Sequence, residues 1–136
     1  ADAPAGAAAS AAPQRTEFKR VRNVTELEAA ITAAAAAQRP LMLDFYADWC
    51  VSCKEMEAFT FSDARVRQKL DAMLLLQADV TANDDGHKAL LKRFSLFGPP
   101  GIIFFDAQGR EIRGLRVIGY QDADRFLETL GRALAP

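Results

Sequence analysis

Residues 41–53 read LMLDFYADWCVSC. From Leu41 to Tyr46 the run is apolar apart from Asp44, and its length and composition predict a buried strand interrupted by one acid. The chain's only two cysteines, Cys50 and Cys53, fall at the C-terminal end of that strand, where a helix can begin. In a helix, a three-residue offset puts two side chains on one face. At the helix N-terminus, free backbone N–H groups and the helix dipole stabilise a thiolate at Cys50. Thiol–disulfide exchange needs one attacking thiolate and a second thiol to resolve the mixed disulfide. The spacing therefore assigns attack to Cys50 and resolution, one turn inside, to Cys53.

Three neighbours bear on that pair. Trp49 immediately precedes the nucleophile, where a half-exposed indole shields the thiol or meets a partner unless it belongs to the core. Asp44 interrupts an apolar strand, and burying an isolated carboxylate is unfavourable. It is expected to carry a raised pKa and to exchange protons with Cys53, directly or through water, unless it reaches solvent from the strand end. Glu57 lies one helical turn beyond Cys53 and either modulates the pair or faces water.

Composition narrows the alternatives. A disulfide between residues three apart closes a tiny loop and adds little stability through chain entropy. A tetrahedral thiolate zinc site would need ligands that are missing, since His87 is the only histidine and lies far away in sequence. With 136 residues and a net charge of −1, the chain is sized for one domain and shows no basic patch for nucleic acid. Its apolar stretches are strand-sized, short of the roughly 20 residues of a membrane span. No metal and no cofactor is implied. The opening, without Met or a charged-then-apolar leader, is expected of a mature chain or of a piece excised from a longer protein.

Outward from the cysteines, the chain reads as alternating strands and helices. Residues 1–16, rich in Ala with Pro4, Gly6 and Pro13, form a flexible linker or arm, and residues 17–136 form the folded domain. Residues 17–21 suit a short edge strand. A helix follows, with a capping box at Asn23/Glu26 or Thr25/Glu28, a stripe of Leu27, Ile31 and Ala34 or Ala35, and a stop at Pro40. After the cysteines come two helical pieces. Met56 and Phe59 are apolar positions of the first, the break falls near residues 59–62, and Ser62 is the cap of the second. Residues 73–80 are a second buried strand. The helix near residues 85–94 includes Gly86, which costs about 1 kcal/mol against Ala, and His87, read as solvated. Gly98, Pro99 and Pro100 form a loop before a strand at residues 101–105. Residues 112–120 pair back as a hairpin strand, and Asp122 caps the last helix. The order β-α-β-α-β-α-β-β-α is an α/β fold, a mixed sheet with helices on both faces. The Pro99–Pro100 bond is expected to be cis, facing Cys50 across a short gap. Pro99 has no N–H to offer a partner's backbone.

At this point a resemblance is visible. YADWCVSCK, preceded by LMLDF and followed by GPPGIIFF, resembles the thioredoxin fold. More narrowly, DWCVSCKEMEAFTFSDARV with LLQADVTANDD is similar to the C-terminal periplasmic domain of the DsbD family of membrane-embedded thiol:disulfide interchange proteins, over about residues 18–131. The resemblance implies an exposed nucleophile at Cys50 and a buried partner at Cys53. It matches Asp44 to the family's buried acid, Glu57 to an acid close to the cysteines, and Pro100 to the cis-proline. Two departures stand beside that proline: Gly101 replaces a common Thr, and Pro99 replaces an apolar non-proline residue. The implied function is protein-disulfide reductase. Electrons would come from the transmembrane domain of the same parent protein and pass to its N-terminal periplasmic domain. That domain serves disulfide isomerisation and cytochrome c-type biogenesis. The implied location is the periplasm, tethered to the bacterial inner membrane, with the isolated domain a monomer. A free-standing thioredoxin-like oxidase or reductase is the enzymatic alternative, and a binding domain with an incidental cysteine pair the non-enzymatic one.

Overall fold

The apolar runs that anchor the sequence reading form the three long strands, β2 (Leu41–Tyr46), β3 (Leu74–Asp79) and β4 (Gly101–Phe105). The structure, a computed structural model, describes residues 16–136, so the expected linker at 1–16 lies outside the described residues except for Thr16. A two-residue β1 (Lys19–Arg20) completes a sheet of order β1-β3-β2-β4. β1 and β2 both run parallel to β3, whereas β4 is antiparallel to β2. All six residues of β2 are buried, which is why its sequence is nearly continuous in apolar residues rather than alternating.

Each sheet face is covered by helices. On one face, α1 (Val24–Ala36) buries Leu27, Ala30, Ile31 and Ala34, and α4 (Asp85–Arg93) buries Leu90 and Leu91. They pack with Leu41, Leu43, Phe45, Leu76 and Ile103 of the strands. On the other, α2 (Val51–Glu55), the turns that follow it, α3 (Ala64–Leu70) and α5 (Ala123–Ala133) are placed over the sheet. Met56, Phe61, Val66, Leu70, Phe126 and Leu130 there join Met42, Ile102 and Phe104. The Phe126 ring lies 5.7 Å from that of Phe61 and 6.4 Å from that of Phe104. At the start of α1, Asn23 accepts from the Glu26 N–H at 2.9 Å, while the Glu26 carboxylate accepts from Arg22 N–H at 2.8 Å. The box is thus shifted by one residue from the reciprocal form. Among the described residues, no helix is long and apolar enough to cross a membrane.

Four local expectations are corrected. α2 runs directly into a π-helical turn, Met56–Thr60, in which Phe61 N–H bonds the Met56 carbonyl five residues back. That wider turn rotates Phe59 off the Met56 stripe into solvent, and Phe61 takes the inward place. The cap of α3 is Asp63, whose carboxylate accepts from Arg65 and Val66 N–H; the Ser62 hydroxyl instead donates to the Ala58 carbonyl at 2.7 Å. His87 is buried rather than solvated, because its Nδ1 turns back to accept from Asp84 N–H at 3.4 Å while Asp84 accepts from His87 N–H at 2.9 Å. Residues 112–120 make no regular strand. Val117 forms an isolated bridge with Ile102, Ile112 N–H bonds the Phe104 carbonyl beside a second bridge between Phe105 and Glu111, and positive φ at Gly114 and Gly119 breaks the extended run.

Candidate active site

The cysteines sit at the C-terminal edge of β2. Cys50 is the N-cap of α2, in extended conformation, and its Sγ accepts from Cys53 N–H at 3.2 Å. Cys50 and Cys53 are joined in a disulfide, with Cα atoms 5.3 Å apart. The expected contrast between an exposed attacker and a buried resolver is not seen in this oxidised form. Cys50 is 6% exposed and Cys53 4%. The Cys50 side chain folds back over the first helical turn to take the Cys53 N–H, and both cysteines pack with Phe45, Tyr46 and Ala47. Cys53 Sγ lies 3.6 Å from the Phe45 carbonyl oxygen, which can accept from the thiol once the pair is reduced.

Asp44 is buried in the middle of the sheet, opposite Gln77 of β3 in the parallel register. Gln77 Nε2 donates to its Oδ2 at 3.1 Å. Burial pushes the Asp44 carboxyl up to about 7; the Gln77 hydrogen bond opposes that rise, and the negative charge of Glu57 adds to it. Glu57 itself is exposed on the π-helical turn. Lys54, from α2, holds its ammonium 5.2 Å from the centre of the Tyr46 ring, and the Tyr46 hydroxyl donates to Asp48 at 3.0 Å.

Trp49 is 60% exposed beside the disulfide. It is not loose: the indole N–H donates to the Thr81 carbonyl at 3.2 Å, and Asp48 N–H donates to the Thr81 hydroxyl at 2.9 Å. The Thr81 hydroxyl in turn donates to Asp79, the last residue of β3. Loop 47–50 is therefore held from the end of the neighbouring strand.

The Pro99–Pro100 bond is cis, and both rings are half-buried. Gly101 opens β4 opposite Phe45, one residue before the end of β2, so the two prolines lie at the same edge of the sheet as Cys50. A Cβ at Gly101 would come within 3.0 Å of Leu96 Cδ1. Leu96 therefore occupies part of the room that a side chain at 101 would take, and its terminal methyl would have to shift to admit one.

Trp49, Cys50, Cys53, Pro99 and Pro100 lie at one end of the sheet, whereas Asp44 sits further inside β2 and Glu57, on the π-helical turn, reaches Asp44 through its charge. Sequence reasoning missed Gln77, Thr81 and Leu96. Gln77 carried a readable signal, since it is the one polar residue within the apolar stretch of β3, as Asp44 is in β2. Thr81 and Leu96 carried none, because their roles depend on which loops meet.

Comparison with known proteins agrees with this geometry. Residues 27–134 match the thioredoxin-like domain family. The chain is 62% identical over 117 residues to the thiol:disulfide interchange protein DsbD of Ralstonia nicotianae, an alignment that covers 86% of this chain and 19% of that protein. It thus spans about a fifth of the length of such curated relatives. The crystal structure of the Neisseria meningitidis DsbD C-terminal domain in its oxidised form is similar at a TM-score of 0.74 and 39% identity, over 86% of this chain and 99% of that one. The reduced form of the same domain gives 0.71 and 42%, over 82% and 96%.

Proposed function

This chain belongs to the thioredoxin-like domain family and, within it, to the DsbD C-terminal domains, and from that premise we propose that it is one station of an electron relay. It is a thiol–disulfide oxidoreductase domain acting through Cys50 and Cys53. The observation that carries the relay reading is the Cys50–Cys53 disulfide at the N-terminus of α2, on the same sheet edge as the cis-proline loop. In the reducing direction a donor dithiol reduces Cys50–Cys53 to two thiols. The Cys50 thiolate then attacks an acceptor disulfide and forms a mixed disulfide. Cys53 displaces the acceptor thiol and re-forms the internal bond, so two electrons move per cycle. The donor is the transmembrane domain of the parent protein and the acceptor its N-terminal periplasmic domain, with the present domain in the periplasm. The crystallisation of a relative's domain in both oxidised and reduced forms supports such cycling.

In this reading Asp44 and Glu57 act on the thiols by charge and by proton exchange, and Trp49, Pro99 and Pro100 meet the acceptor. Purified Cys53→Ala, mixed with the oxidised N-terminal periplasmic domain, should accumulate a covalent complex through Cys50 that dithiothreitol dissolves. Cys50→Ala should accumulate none. Equal trapping by the two variants would reject the assignment, and no trapping by either would reject the relay.

A further inference from the structure

Beside the cis-proline loop, α4 and the loop after it enclose an open groove of about 520 Å³ that the exchange chemistry does not use. Leu91 and Leu96 form its apolar lining, and Phe97 projects from its rim fully exposed. Lys88 and Lys92, one helical turn apart on α4, border the same groove. Neither lysine forms an ion pair within 4 Å among the described residues. The neighbouring cation Arg93 does, with Glu28 at 2.7 Å. The acids Asp84 and Asp85 lie at the start of α4. Asp84 accepts from His87 N–H there, and neither acid pairs with Lys88. The chain at 95–97 leads straight through Gly98 into Pro99 and Pro100, so the groove is continuous with the loop assigned to partner contact.

An exposed aromatic over an apolar floor, flanked by two unpaired cations of one sign, suits an apolar side chain accompanied by carboxylates. We propose that this groove is a secondary docking site for an acidic segment of the exchange partner, one that carries an apolar anchor next to Asp or Glu. The anchor seats on Leu91, Leu96 and Phe97 while its carboxylates face Lys88 and Lys92. The site selects among partners before any sulfur reacts, and it rests on the exchange function proposed above.

The test uses two S-glutathionylated peptides of equal length, each with one cysteine and one leucine, flanked by glutamates in one and by lysines in the other. Equimolar peptides compete for reduced Cys53→Ala protein. Its Cys50 thiolate takes the peptide sulfur and releases glutathione, and intact mass reads the ratio of the two mixed disulfides. The expected ratio is about fivefold in favour of the acidic peptide at low salt, the size of two exposed ion pairs. It should fall towards one in 1 M salt and in Lys88→Ala/Lys92→Ala. Phe97→Ser should weaken capture of the acidic peptide while leaving capture of a leucine-free acidic control unchanged. Capture of both peptides without preference, or a preference that survives the double lysine substitution, would overturn the groove while leaving the exchange function intact. If neither peptide is captured, the exchange function fails and the docking site falls with it.

Discussion

At the scale of single residues, Asp44 is where folding and chemistry conflict. Its carboxyl is buried against Gln77 and pushed from an ordinary 3.8 to about 7. Between those values the folded chain keeps a proton that the unfolded chain releases, so the stability this group contributes at low pH is lost as pH rises through about 4 to 7. The full shift corresponds to something on the order of 4 kcal/mol. Asp44→Asn removes the titration and keeps an oxygen for Gln77. Urea midpoints measured from pH 4 to 8 should therefore fall for wild type relative to the variant, and parallel curves would refute the linkage. In the proposed function the same charge also acts on sulfur. Asp44→Asn with Glu57→Gln removes negative charge near the pair and should move the alkylation profile of Cys50 to lower pH; an unchanged profile would reject that influence. Asp44 was legible in the sequence because an acid inside an apolar strand has few explanations. Its partner Gln77 was equally anomalous in β3, but pairing the two required the register between strands, which no local pattern encodes.

At the scale of elements, legibility followed the strength of the local code. β2, β3 and β4 were readable because buried runs bounded by turn residues leave little choice. Asp122 was readable as a cap, and of the two candidates for the first helix the structure selects Asn23; each accepts from the third N–H of its helix. The π-helical turn was not, since its sequence differs in no simple way from an α-helix and only the outward swing of Phe59 betrays it. Gly86 shows propensity and packing in opposition. By propensity alone, Gly86→Ala in α4 should stabilise the helix by about 1 kcal/mol. In the fold, a Cβ there would sit 2.8 Å from the Arg22 carbonyl, a backbone atom that cannot swing aside. The expected outcome is a lower unfolding midpoint for Gly86→Ala. A rise would mean that the approach of α4 to Arg22 relaxes freely.

For the whole molecule, the central sheet separates two apolar clusters, and the one built on α5 and the turns after the cysteines holds a chain of tilted and edge-to-face ring contacts. Phe126 is fully buried between Phe61 and Phe104. Phe126→Ala should lose about 3–5 kcal/mol in denaturant titration, the usual cost of deleting a core phenyl; a loss below 1 kcal/mol would mean the cluster repacks. The strand-and-helix order was readable from sequence up to β4 and for the last helix, whereas the expected hairpin strand at 112–120 and the sheet's margins were not. β1 is only two residues long, and both are exposed cations. On the opposite side, Ile102 and Val117 exchange backbone hydrogen bonds, and Phe104 and Asp106 bond to Ile112 and Arg110. Among the described residues, neither margin therefore presents a long row of open amides to which a foreign strand could add. Fibril-like stacking and strand swapping between copies lack a template at either border, so contacts made there must rely on side chains and loops rather than on lengthening the sheet.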